Sequence, residues 1–178
     1  EQIKVDPTVV AINAGTPGGF GFTPEWRKAA GKQYIDVGIA EEHAIAMSSG
    51  IAKNGGKPVF NVYSTFLQRT YDQLVQDLCV NNNSAVIINH MASVYGMNDV
   101  THLGFFDIPM LTSIPNLVYL APTNNEELLA MTKYAVHQHE HPVAIRVPVG
   151  KFISTGVPDT TDYSILHKSE VTRHGERI

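Results

Sequence analysis

From Tyr34 to Tyr63 the chain reads YIDVGIAEEHAIAMSSGIAKNGGKPVFNVY, and this stretch decides the fold class. Tyr34 to Gly38 is a strand candidate. Behind it, Ala44, Met47 and Ile51 recur at helical spacing between Glu41 and Lys53, and Asn54-Gly55-Gly56 supplies the stop. Pro58 to Tyr63 is strand-like again. Strands that alternate with helices and are apolar on both sides call for a parallel sheet covered on both faces.

The alternation extends in both directions. Upstream, the apolar run Val9 to Ala14 closes on Gly15, Pro17, Gly18 and Gly19, which reads as a strand entering a flexible loop. Thr23-Pro24-Glu25 then has the form of a helix start, with Thr as N-cap and Pro at the first helical position. Downstream, the pattern predicts a helix from Thr65 to Val80, a strand from Ala85 to Asn89 and a loop containing Gly and Asn. A helix near Asp107 to Ser113, a strand from Leu117 to Ala121, a helix from Asn124 to Gln138 and a strand from Val143 to Val147 complete it. The expectation is a doubly wound α/β domain over residues 1–150, its mostly parallel sheet flanked by helices on both faces. Residues 151–178 are expected to be a linker, rich in Thr, Gly, Pro and Asp, followed by the first strand of a truncated further domain. The chain thus reads as a piece of a longer protein.

A chain of 178 residues fits one domain with a short extension. Thirteen Lys and Arg against seventeen Asp and Glu leave a net charge of −4, so no basic field exists to gather nucleic acid or anionic lipid. With 43% hydrophobic residues the chain can build a core. The single cysteine, Cys79, cannot form an internal disulfide or a zinc cluster and sits in the apolar stretch Leu74 to Val80, which suits a buried helix face in a reducing, cytoplasmic setting. No run of ~18 apolar residues is present to cross a membrane.

In an open parallel sheet ligands bind beyond the carboxyl ends of the strands, which directs attention to the loops there. Glu41, Glu42 and His43 open a helix at one such end. Acids in a first helical turn complement the helix dipole, yet a partly buried Glu there can also hold a proton or accept a hydrogen bond from a ligand nitrogen. Phe66 and Arg69, after Tyr63-Ser64-Thr65, suit core packing and a salt bridge as well as they suit an aromatic platform and an anion ligand. His102, in a loop among Thr, Asn and Asp, is the histidine best placed to carry protons. His137, His139 and His141 read as a polar helix end before Pro142 rather than a metal site, and Gly15 to Gly21 matches neither phosphate-loop spacing.

Tyr34-Ile-Asp-Val-Gly-Ile-Ala-Glu-Glu-His43 resembles the thiamine-diphosphate enzymes of the transketolase superfamily. Asn61-Val-Tyr-Ser-Thr-Phe-Leu-Gln-Arg-Thr-Tyr-Asp-Gln73 narrows the resemblance to the 1-deoxy-D-xylulose-5-phosphate synthase family. Thr101-His-Leu-Gly-Phe-Phe-Asp107, Ile114-Pro-Asn116, Ala121-Pro122 and Arg146-Val-Pro148 follow in the family's order, so the likeness runs from Val9 to Gly150 and marks a pyrimidine-binding domain. The resemblance implies that Glu41 hydrogen-bonds the cofactor's pyrimidine and promotes deprotonation of its thiazolium carbon, that Phe66 stacks on that ring, and that Tyr63 and Ile39 line the pocket. It further implies that His102 contacts substrate and handles protons, and that Arg69, Tyr63 and Asn98 face the substrates. Pyruvate then loses carbon dioxide and its remaining carbons join D-glyceraldehyde 3-phosphate, in a homodimer that needs magnesium, on the route to isoprenoids and thiamine.

The departures fall on the acceptor side. His90-Met91-Ala92-Ser93 stands where the family has Asp-Arg-Ala-Gly, Asn98 where it has Asp, and Val149 where it has a second Arg after Pro. Two cations that would bind phosphate are thereby replaced. The Gly-Asp-Gly motif that holds diphosphate and magnesium does not occur in the sequence, so the resemblance assigns both to another domain and predicts that this chain alone does not turn over. Alternatives are a relative using another, unphosphorylated acceptor, and a non-catalytic paralogue.

Overall fold

The computed structural model describes residues 2–93, 100–166, 169, 171 and 174–176. Six strands, β1 (Val9–Asn13), β2 (Tyr34–Asp36), β3 (Lys57–Tyr63), β4 (Val86–His90), β5 (Val118–Leu120) and β6 (Val143–Val147), form one sheet in the order β2-β1-β3-β4-β6-β5. Every pairing is parallel. The doubly wound expectation therefore holds, with strand ends shifted by a residue or two and a short helix, Gln2–Val5, that the pattern did not show.

Alternate residues of each strand enter different cores, because side chains on a strand point to opposite faces. Ile12, Phe60, Val62, Ile87 and Ala144 join Ala44 and Ile45 of the Glu41–Lys53 helix, Leu67, Leu74 and Leu78 of residues 64–79, and Leu111 of the Asp107–Thr112 helix. Val9, Val86, Ile88, Val143 and Ile145 face the other way, onto Met131, Ala135 and Val136 of the Asn125–His137 helix. Thr23 caps its helix as read, its Oγ1 accepting from the Trp26 amide, and Asn124, read as the first residue of its helix, is instead the cap, its Oδ1 accepting from the Glu127 amide.

Three expectations are corrected. The Glu41–Lys53 helix buries Glu41, Ala44, Ile45, Ser48 and Ser49, while Met47 and Ile51 lie only partly covered. Beside Ala44 and Ile45, its packed face includes polar Glu41, Ser48 and Ser49, which an apolar count overlooks. The single helix expected over residues 65–80 is compound: α-helical Ser64–Leu67, a 3-10 turn Gln68–Thr70, α-helical Tyr71–Gln73 and a π segment Leu74–Cys79. Thr70 Oγ1 donates back to the Leu67 carbonyl at 2.8 Å, and the Asp77 carbonyl accepts from Ser49 Oγ and Asn81 Nδ2 instead of serving only its own ladder. Cys79 is buried there as expected, its thiol pushed up to about 12 by desolvation, whereas Val80 is exposed.

The loop after β1 contains a 3-10 turn, Pro17–Phe20. Residues 151–166 hold no helix or strand, yet they are tied down. The Asn125 amide donates to the Ile153 carbonyl, and the Glu126 carboxylate accepts from Ser154 Oγ and from the Thr155 and Gly156 amides. The Ser154 hydroxyl first, and the Thr155 amide next, hold the Glu126 carboxyl down at about 2. Of the strand expected within residues 169–178, positions 170, 172, 173, 177 and 178 lie outside the described residues, and the described ones are not in a strand.

Phe60 is wholly buried in the centre of the first core. Phe60→Ala is expected to cost about 3–5 kcal/mol of stability in guanidinium unfolding. A loss below about 1 kcal/mol would show that this face is not sealed by packing.

Candidate functional site

The chain leaves β1 towards β2 on one side and then returns past β1 to β3 on the other, so the order reverses between β1 and β3. Loops at the carboxyl ends of such strands diverge and open a crevice. Around it stand the loop after β1, the Gly38–Ala40 approach to Glu41, the end of β3 with the turn that follows, and the end of β4.

Glu41, in the first turn of its helix, is only 2% exposed. Its Oε2 has no hydrogen-bond partner and lies 3.5 Å from Nη1 of Arg69. A buried carboxylate oxygen left open is costly unless a ligand or water completes it. Arg69 also gives Nε to Oε1 of neighbouring Glu42 at 2.9 Å. Glu42's own backbone N–H, and then this guanidinium, hold its carboxyl below the ordinary range. Arg69 is thus half-exposed but already engaged by two acids, and His43 is exposed beside them.

Aromatic rings line the neighbouring wall. Phe66 meets Tyr63 at 5.9 Å and His102 at 5.2 Å, both edge-on. Tyr63 in turn contacts Phe20 at 4.7 Å, and Phe20 covers His90 at 4.5 Å. The approach is so close that a Cβ on Gly19 would lie 1.7 Å from the Tyr63 hydroxyl, which is why glycine precedes Phe20. The His102 loop is pinned to the start of residues 64–79, since Thr65 Oγ1 donates to the Thr101 carbonyl at 2.9 Å and Thr101 Oγ1 pairs with His102 Nδ1 at 2.8 Å. Of the residues singled out from sequence, Tyr63, Phe66 and His102 share one contact chain, and Glu41 and Arg69 another. Ile39 is 81% exposed against Gly15, and Asn98 lies outside the described residues. Met91 adopts a left-handed φ of 56°, and its carbonyl presses on Gly104, where a Cβ would sit 1.9 Å away. The Gly104 amide donates to the Ser93 carbonyl, which ties the stretch after His102 to the end of β4.

Two polar hubs escaped the sequence reading. Asp36, at the end of β2, accepts from the Gly15 and Gly38 amides through Oδ1 and from Asn13 Nδ2 and the Tyr34 hydroxyl through Oδ2. Desolvation opposes its charge, but these four donors prevail and hold the carboxyl below its ordinary value. Asp107, fully buried, accepts from Asn89 Nδ2, Arg146 Nε and the Tyr119 hydroxyl on its Oδ2. Burial first, and Asp107 second, drive the Tyr119 phenol far above its ordinary range. Asn89 and Arg146 are also register partners across β4 and β6.

His90 Nε2 lies 3.1 Å from Asn61 Oδ1, and desolvation lowers its ring from 6.5 to about 4. The ring is therefore neutral near pH 7. Because the unfolded state binds the proton first, the stability tied to neutral His90 is intact above 6.5 and is lost as pH falls towards about 4. The stability advantage of wild type over His90→Asn is expected to shrink across that window in urea titrations, and a constant difference would refute a depressed pKa.

The family model described as "Transketolase, pyrimidine binding domain" matches residues 1–152, a span that contains all six strands. The chain is 39% identical over its full length to a 1-deoxy-D-xylulose-5-phosphate synthase of Natranaerobius thermophilus, and 38% identical over 97% of its length to that of Dictyoglomus thermophilum. It spans 28% of the length of each of these relatives. Among solved structures, a transketolase from Leishmania mexicana superposes with a TM-score of 0.77 at 16% identity, over 88% of this chain and 25% of that one. A split-gene transketolase described as an inactive beta4 tetramer gives 0.70 at 20% identity, over 92% and 50%. These two likenesses carry the fold. With the family pattern running through the whole sheet, the chain belongs to the transketolase pyrimidine-binding domain family.

Proposed function

We propose that this chain is the pyrimidine-binding part of a thiamine-diphosphate-dependent synthase that joins two carbons of pyruvate to D-glyceraldehyde 3-phosphate, releasing carbon dioxide and forming 1-deoxy-D-xylulose 5-phosphate. The observation that carries the reading is Glu41: a buried carboxylate at the strand-order reversal, one oxygen of which makes no hydrogen bond and has only the Arg69 guanidinium 3.5 Å away. That open oxygen suits a protonated ring nitrogen, and the rings beside it suit a flat heterocycle, so the residues fit an aminopyrimidine. Bound thiamine diphosphate supplies an acidic carbon and an electron sink for decarboxylation. Glu41 holds the pyrimidine nitrogen and shares its proton. Phe66 provides the stacking surface, with Tyr63 and Ile39 along the pocket. His102, held at Nδ1 by Thr101, moves protons on the substrate side. The diphosphate and magnesium belong to a part of the longer protein that carries the motif this sequence does not contain, so the chain by itself is inactive. The working protein is a cytoplasmic homodimer.

Arg69 is the residue on which a second reading turns. Its guanidinium is engaged by Glu41 and Glu42, His90 is neutral near pH 7, and Met91 and Val149 carry no charge. An anion competing for Arg69 must displace two carboxylates, which favours an acceptor without phosphate over a phosphorylated one. Under the first reading Arg69 turns from the acids to the aldehyde phosphate.

Full-length protein with thiamine diphosphate, magnesium and pyruvate is expected to release carbon dioxide and, with D-glyceraldehyde 3-phosphate, to form the sugar phosphate. Faster turnover with D-glyceraldehyde selects the second reading, and no carbon dioxide with any acceptor sinks both in favour of a non-catalytic paralogue. Glu41→Gln is expected to lower carbon dioxide release by about 10²-fold or more, as loss of a general acid–base does, with unfolding midpoint preserved. Activity equal to wild type would remove Glu41 from the chemistry.

A further inference from the structure

We propose that Asp36 is a positioning residue: its carboxylate clamps together the loops after β1 and β2 and thereby sets where Glu41 stands. One oxygen, Oδ1, accepts the Gly15 amide at 2.9 Å and the Gly38 amide at 3.0 Å, so the two loops converge on a single atom. Oδ2 accepts Asn13 Nδ2 at 3.0 Å and the Tyr34 hydroxyl at 3.2 Å, which anchors the carboxylate to the last residue of β1 and the first of β2. Both glycines need their place. Gly15 and Gly38 have φ of 74° and 72°, a region costly for other residues, and a Cβ on Gly15 would meet Ile39 Cγ1 at 3.1 Å.

The clamp controls more than its own loops. The Glu41–Lys53 helix has Ala40 as N-cap, a residue whose side chain cannot cap. Its entry is instead set by backbone: the Ala40 amide donates to the Gly38 carbonyl at 2.8 Å, and the Ala44 amide to the Ala40 carbonyl at 3.0 Å. The position of Glu41 is therefore inherited from Gly38, and Gly38 is held by Asp36. On the other side, the segment that starts at Gly15 delivers Phe20 to Tyr63 and His90. One carboxylate accordingly ties the acid on one lip of the crevice to the aromatic wall on the other. An Asn at this position keeps the shape but has one accepting atom, its other side being an NH2 that only donates, so it cannot accept from donors on both sides.

This assignment rests on the proposed role of Glu41 only for its effect on turnover. The test uses the full-length protein with thiamine diphosphate and magnesium, comparing wild type with Asp36→Asn and, as the harsher variant, Asp36→Ala. In hydrogen-exchange mass spectrometry, peptides covering residues 14–21 and 37–44 are expected to take up deuterium faster in Asp36→Asn, while those from the Asn125–His137 helix match wild type. At saturating cofactor and pyruvate, kcat is expected to fall at least about tenfold, as misplacement of a reacting group does, with KM for the acceptor little changed. Unchanged uptake in either loop overturns the clamp. A lower unfolding midpoint with kcat unchanged overturns the positioning role. If wild type itself shows no turnover, the functional reading fails, and the uptake comparison still decides whether Asp36 holds the two loops.

Discussion

A wholly parallel sheet has no face it can show to water, and that constraint organises this molecule. Each strand must be followed by a segment long enough to return to the starting edge, and those segments must cover both faces. Here three helical regions take one face and the Asn125–His137 helix the other. The strand order that results reverses between β1 and β3, and the loops leaving those strands must part. The crevice is a consequence of how the sheet is wound, before any chemistry is placed in it.

Chemistry at that crevice depends on polar groups held out of water. Glu41 is buried with an open oxygen beside Arg69, while Asp107 is buried among Asn89, Tyr119 and Arg146. The two carboxylates differ in what surrounds them. Asp107 collects three donors on one oxygen, which fixes the ends of β4, β5 and β6 relative to the helix that follows the His102 loop. Each has one buried oxygen without a hydrogen bond, Asp107 Oδ1 and Glu41 Oε2, but Glu41 Oε2 stands at the crevice with only a guanidinium 3.5 Å away. Asp36 lies between these cases: exposed on its outer side, it still gathers four donors and so stays charged.

Much of this was legible along the chain. Helix and strand periods are local properties, and so Glu41–Lys53 and Val143–Val147 were read with the bounds the structure shows. Caps are local too, as Thr23 demonstrates. Where a distant partner intervenes, the local reading failed. The π segment Leu74–Cys79 exists with Ser49 donating to the Asp77 carbonyl from another helix, and no pattern within residues 64–79 announces that. Likewise, the buried stripe of the Glu41–Lys53 helix contains Ser48 and Ser49 because their hydroxyls find carbonyl acceptors on Ala44 and Asp77.

By itself, then, the sequence determined the alternation of elements, the doubly wound class, and the residue types at the strand ends, Glu41, Tyr63, Phe66 and His102 among them. Only the tertiary structure decided which of these meet. It joined Phe66 to His102, turned Arg69 onto Glu41 and Glu42, closed Phe20 over His90, and made hubs of Asp36 and Asp107. The reason is physical: periodicity records which side of an element is wet, whereas a hydrogen bond to a buried carboxylate depends on donors brought together from strands and loops far apart in the chain.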